Sequence, residues 1–450
     1  MRNSVRAAVI RLKKNPSPSF VQNAELKIWP GPHSVPNVGK NINFLIDHQC
    51  PQCGAPAELS ETDRLFQCAF CKVSSYLMER SYFRYVLPHN APEGQELVYF
   101  PYWRFKGMLF SCLPSGIQNR FLDVSQPAAQ SILFPASVGL RSQAMKLRFV
   151  SPETKGWFIK PTRPFRQVMK TFLTRFNRNI PGPILHQSHI GESLSLIYAP
   201  FYIGERIMDA VLNQPVSKEL DETFELNRFP GGPADWRIRF IPTLCPNCGW
   251  DMQGRRDARV LHCKNCESMW QASKQGMSQV NVVHLPTSED ESTVYLPFWR
   301  IKADVVGIDL YSYADLVKVA NLPKVVQPGW DRIPCHFWGP AFKVRPRSFM
   351  RLTHHITLSQ PRDHLVAQVP KGNMHPVNLP VSESVETLKM NVAGFLRPKK
   401  AVEDRIAEIQ VKPSRYLLAY LPFEIRHHDL VQTTFNIAVN RNQLALAGNL

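Results

Sequence analysis

The sequence predicts a mainly β, α+β protein built by internal duplication, each half a four-cysteine ribbon followed by a β-sheet domain with few short helices. Three observations predict it. Eight of the ten cysteines form one pattern twice, Cys50-Pro-Gln-Cys53 with Cys68-Ala-Phe-Cys71, and Cys245-Pro-Asn-Cys248 with Cys263-Lys-Asn-Cys266, fourteen residues separating the pairs each time. A proline–aromatic pattern of strand character follows each ribbon at a constant offset, 195 residues at the cysteines and 196 here. Thirty-eight prolines against twenty-two glycines disfavour long helices and central strands, which favours short elements and many turns.

Taken in order, residues 1–40 form a basic arm and lead-in, Arg2 to Lys14 followed by Asn15-Pro-Ser-Pro-Ser19, expected to be flexible. Ribbon 1 spans 41–80. Two thiolates three residues apart grip one ion from a tight turn, and a hairpin returns the second pair. Gly54 and Gly249 follow the first knuckles, where the backbone turns with positive φ. Lys72 and Glu267 follow the return knuckles and depart from that pattern.

A β-rich domain is expected at 81–228. In Tyr99-Phe-Pro-Tyr-Trp-Arg-Phe105, alternation places Tyr99, Pro101, Trp103 and Phe105 on one side, and Phe100, Tyr102, Arg104 and Lys106 on the other. The run continues to Cys112, turns at Pro114-Ser-Gly116 and returns through 117–124 as a hairpin. Residues 165–176, after Pro164, have helical spacing. Leu196-Ile-Tyr-Ala-Pro-Phe-Tyr202 repeats the aromatic strand, and Phe229-Pro-Gly-Gly-Pro233 marks the boundary.

Ribbon 2 is expected at 236–275 and a second β-rich domain at 276–450. That domain repeats Tyr295-Leu-Pro-Phe-Trp-Arg300 and Leu417-Leu-Ala-Tyr-Leu-Pro-Phe423. Amphipathic helices are expected at 382–396 and 400–410. A three-stranded meander is expected at 416–426, 430–439 and 444–447.

Four cysteine sulfurs per ribbon suit zinc, which is four-coordinate, redox-inert and tolerant of four thiolates. Two Zn are therefore expected, held by Cys50, Cys53, Cys68 and Cys71, and by Cys245, Cys248, Cys263 and Cys266. Mononuclear Fe in rubredoxin-like sites is the alternative. A four-thiolate shell leaves no open coordination position, so the sites are expected to be structural and to fold hairpins too small for their own core. Cys112 and Cys335 lack pair partners. In Cys335-His336 adjacent strand residues point to opposite faces, which favours a buried structural cysteine over a nucleophile–base pair. His186-x-x-His189-x-x-Glu192, His354-His355 and His427-His428-Asp429 complete no catalytic set, and no phosphate-binding glycine loop or nucleophile elbow occurs.

Tyr99-Phe-Pro-Tyr-Trp103, Tyr295-Leu-Pro-Phe-Trp299 and the end segment from Phe435-Asn-Ile-Ala-Val-Asn440 to Gly448 resemble bacterial double zinc-ribbon proteins with repeated Leu-Pro-Phe-Trp-type strands. The ribbons also look like those of transcription factor IIB-type proteins. The resemblance covers about half the chain; Tyr202 and Glu424 stand where that pattern has tryptophan. It implies a bacterial zinc-ribbon protein, a kind often labelled helicase- or transcription-related on the ribbon alone.

Duplicated ribbons, β-rich halves and missing catalytic motifs point to a non-enzymatic scaffold, a subunit or adaptor whose partners are proteins, with no small-molecule substrate. The candidate partner surface is Tyr102 and Phe298, opposite the tryptophans on their strands unless a second layer makes both aromatics core, together with the ribbon tip Arg255, Arg256 and Arg259. A formal charge of +18 makes nucleic acid the alternative partner and an anionic membrane surface a further one. In ribbon 1 the matching tip carries Glu58, Glu61 and Asp63, so the tips differ in sign. An iron-containing redox protein is the second alternative. No stretch reaches the ~18–20 apolar residues of a membrane span, and Met1-Arg-Asn-Ser-Val-Arg precedes no apolar core, so a cytoplasmic location is expected.

Overall fold

The computed structural model of the chain describes residues 44–78, 81–139, 141–180, 182–220, 225–273, 276–287, 292–361 and 364–445. The expected basic arm and the residues after 445 lie outside these. Strands dominate, in sheets of eleven, seven, three and three members, with few short helices.

Strand pairing repeats the duplication. Leu97–Leu113 pairs antiparallel with His186–Ile203, placing Tyr99, Phe100 and Pro101 opposite Pro200, Ala199 and Tyr198. Thr293–Val306 pairs antiparallel with Gln410–Arg426, placing Tyr295, Leu296 and Pro297 opposite Pro422, Leu421 and Tyr420. On the outer side of the leading strands, Pro127 faces Tyr102 in one half and Pro340 faces Phe298 in the other. Short parallel strands join the same side, Trp157–Ile159 beside Val98 and Tyr99, Asn373–Met374 beside Val294 and Tyr295. The closing strands take Phe83–Val86 and Val282–His284 in parallel. The prolines lack an N–H, but their carbonyls stay paired: Pro101 accepts from the Ala128 amide at 2.9 Å and Pro297 from the Ala341 amide at 3.0 Å.

Both faces of the aromatic strands are covered. Phe100 and Tyr102 belong to one core, Tyr99 and Trp103 to another. Tyr102 and Phe298 are therefore fully buried: the second-layer reading holds, and as a candidate partner surface they are corrected. The Tyr102 hydroxyl donates to the Pro135 carbonyl at 2.8 Å, and the Phe298 ring lies against Phe342 and Phe423. Aromatic side chains carry the largest apolar area, so covering both faces outweighs leaving either in water.

The halves interlock. Met108, Phe110, Cys112 and Ile190, from the far end of the first half's long hairpin, belong to the core of the second half. Residues 229–233 cross the edge of the first sheet, where Gly231–Gly232 pairs with Trp157–Ile159. At Gly231 a Cβ would collide with the Trp157 indole nitrogen, so glycine is needed for close approach.

Phe165–Phe176 is helical as expected. The helix expected at 382–396 is two, Val381–Glu386 and Leu388–Phe395, and the next is shorter, Lys400–Arg405. Besides the short Arg141–Ala144, two longer helices form where none was expected. Pro346–Ser359 begins with a proline at its first turn, and Tyr313–Val319 has a Ser312–Asp315 capping box, signals present in the sequence. The meander has three strands, but 430–439 divides into Asp429–Gln432 and Ile437–Asn440 around Asn436, whose φ is 51°. Arg441–Ala445 is helical where a strand was expected from 444.

Candidate metal centres

Each ribbon brings its four sulfurs together. In ribbon 1 the Cys50–Cys71 and Cys53–Cys68 sulfurs are 3.8 and 3.7 Å apart; in ribbon 2 Cys245–Cys266 and Cys248–Cys263 are 3.6 and 3.4 Å apart. A disulfide requires about 2.05 Å. A tetrahedron of ~2.3 Å metal–sulfur bonds places sulfurs about 3.8 Å apart, so both quartets fit one metal ion. No other such cluster of histidine, cysteine or carboxylate groups occurs among the described residues.

The knuckles shape these sites. The Cys50 amide donates to Ala55 and the Gly54 amide to Cys50, at 2.8 and 2.9 Å; Cys245, Trp250 and Gly249 repeat this at 2.8 Å. Gly54 and Gly249 have φ of 73° and 71°. Lys72 and Glu267 adopt the same left-handed conformation, at 62° and 50°, despite their side chains. The geometry is thus the same at all four knuckles, and only the residue type departs.

The thiols are poised unequally. Backbone amides, first that of Cys71, hold Cys68 down to about 6, and the Ser268 hydroxyl first holds Cys266 down to about 6. Burial foremost pushes Cys263 up to about 12. Four adjacent thiols resist shared ionisation, and a bound cation is what reconciles four negative charges.

Around the centres, the ribbon tips meet each other. Both the Arg64 and Leu65 amides donate to the Arg256 carbonyl, at 2.6 and 2.8 Å, and the Arg256 guanidinium pairs with Asp63 at 2.6 Å and reaches the Glu58 carbonyl at 3.0 Å. The lead-in strand of ribbon 2, Arg239–Pro242, pairs with the return strand of ribbon 1, Ser74–Met78. Tyr76 of that strand lies in the core holding Cys245 and Cys263. Two expectations are corrected. Arg256 stays exposed, but its guanidinium is taken up by Asp63 of the oppositely charged tip. Glu61 and Asp63 are buried, not exposed. Arg255 remains exposed, and the half-buried Arg259 donates its amide to Val377 at 2.7 Å.

Glu61 lies against Arg104, which is 1 % exposed, sits over the Phe44 ring at 4.9 Å and makes two bonds to Asp123, at 3.0 and 2.9 Å. No local pattern signals this pairing across forty-three residues. The remaining candidates do not converge. The Cys335 thiol is buried and pushed up to about 12, first by burial, while His336 turns to the Pro334 carbonyl and to Arg300. Cys112 is buried too. His186 and His189 lie on a strand, three residues apart and so on opposite faces, and His427 forms a turn at φ 52°.

Compared with protein-family models, with curated proteins and with solved structures, the chain matches none. Among the described residues no helix is long and apolar enough to cross a membrane.

Proposed function

We propose that this chain is a zinc-held, non-enzymatic scaffold that binds protein partners, akin to the bacterial double-ribbon proteins its motifs resemble. The observation carrying this reading is that two four-sulfur clusters, each fit for one metal ion, are joined through one strand pair, which suits an architectural role for the ions. Zinc suits four thiolates in a closed shell better than an ion needing an open position. The two cysteines outside the quartets, Cys112 and Cys335, are buried, which suits structural residues.

Metal analysis of purified protein is expected to give two zinc per chain, and affinity capture from the native cell a stoichiometric protein partner. A visible charge-transfer band would replace zinc by iron and revive the redox reading. Capture of nothing stoichiometric would remove the scaffold.

One observation favours nucleic acid as a second reading. Between Glu153 and Glu192 there are seven lysines and arginines and no acidic residue, and helix Phe165–Phe176 exposes Arg166, Lys170 and Arg175. Its apolar side chains Val168, Met169 and Phe172 are buried, and Phe165, Leu173 and Phe176 are half-buried against the same core, so the exposed face is mainly basic and suits a polyphosphate backbone better than a membrane. Retention on DNA that falls with salt supports it.

A further inference from the structure

The duplication provides an internal comparison. In the first half Arg104 is sealed by Glu61, Asp123 and the Phe44 ring. Its counterpart, 196 residues on, is Arg300. Both acidic positions have changed. Pairing of Tyr102 with Pro127 and of Phe298 with Pro340 makes His336 the counterpart of Asp123. The cysteine offset of 195 makes Arg256 the counterpart of Glu61. Arg256 leans away to Asp63, and the lead-in strand that should supply the covering ring is given to ribbon 1.

Among the described residues no carboxylate pairs with Arg300. Its contacts are the His336 Nδ1 at 3.3 Å and the Trp338 ring at 5.9 Å, and its Nε–H is shielded from solvent without a hydrogen-bond acceptor. Burial lowers the pKa of Arg300 with no opposing negative charge, and His336 is held down to about 4 by burial, then by Arg300 and, further down, Lys302. Lys302 and its cross-strand neighbour Arg415 are exposed on either side. A half-buried guanidinium with an unmet N–H is costly unless an anion completes it.

We propose that Arg300 is a docking point for a carboxylate from outside the chain, an acidic side chain of a bound protein that takes the place Asp123 and Glu61 hold beside Arg104. The source of that carboxylate rests on the scaffold reading; the chemistry of the site does not. A carboxylate is the commitment because the first half shows two of them satisfying the same arginine, in a bidentate geometry from Asp123.

The test is titration of the full chain, at low salt, with a fluorescent capped tri-glutamate peptide. Four proteins are compared: unaltered, Arg300→Gln, His336→Asp and Arg347→Gln, the last an exposed arginine elsewhere. His336→Asp restores the pairing of the first half and should occupy Arg300 from within. Binding is expected to weaken at least tenfold in Arg300→Gln and His336→Asp, and to change less than twofold in Arg347→Gln. Should Arg300→Gln fail to fold, His336→Asp decides alone. Equal binding by all four, or none by the unaltered chain, overturns the site. Displacement by equimolar inorganic phosphate overturns the carboxylate in favour of a phosphoryl group. If a stoichiometric partner is captured while the peptide does not bind, the site falls and the scaffold stands; peptide binding without a captured partner means the reverse.

Discussion

Lys72 and Glu267 hold the left-handed backbone that glycine takes at the other two knuckles, at φ 62° and 50°. For a residue with a Cβ this costs on the order of 1–2 kcal/mol, partly offset because glycine orders at greater entropic cost. Lys72 recovers a little through its ammonium, which donates to the Ala69 carbonyl at 2.7 Å on the surface. Lys72→Gly and Glu267→Gly are each expected to stabilise the metal-loaded chain by up to about 1 kcal/mol. Guanidinium denaturation reads this directly. A midpoint that falls in both variants would mean that the side chains, and not the backbone, set the energy there.

At the scale of elements, the ribbons behave as one body. The pairing of Arg239–Pro242 with Ser74–Met78, the Arg256 carbonyl that receives two ribbon 1 amides, and Tyr76 in the ribbon 2 core all depend on both hairpins being folded. A ribbon of this size has too little core to fold without its ion. Cys248→Ser removes one ligand of the second centre only. It is expected to lower metal content from two ions per chain to below one, and to speed loss of the remaining ion to a chelator at least tenfold. Retention of one tightly held ion would show two independent ribbons.

The whole molecule is joined twice, at the ribbons and where Phe110 enters the second half, its ring 6.3 Å from Phe349. One calorimetric unfolding transition is expected, since neither half keeps its core when the other opens. Acid should weaken it in a defined window. His48, His186, His336, His354 and His375 are all held down to about 4, chiefly by burial, against an unfolded value near 6.5. Above pH 6.5 both states are neutral and the contribution is complete. Between 6.5 and 4 the unfolded chain binds protons that the folded one refuses, so stability falls with pH and the contribution is gone below about 4. Calorimetry at constant zinc should show a single midpoint dropping through this interval; two separate transitions, or a midpoint flat from pH 6.5 to 5, would contradict it.

The sequence determined the features that local chemistry decides. Cysteine spacing fixed both quartets, alternation fixed the four aromatic strands, and Pro114-Ser-Gly116 fixed the first hairpin, which closes with Leu113 opposite Gly116. Tertiary structure decided what depends on residues far apart. Alternation shows that Tyr102 and Phe298 lie opposite the tryptophans but not whether a second layer covers them, and it does. Opposite charges at the two ribbon tips were visible, but that Asp63 and Arg256 are each other's partners across 193 residues required the fold. Arg104 and Arg300 occupy the same place in a repeated motif; only the chain packed over each makes one a sealed ion pair and leaves the other without an acid, because desolvation acts on surroundings and not on sequence neighbours.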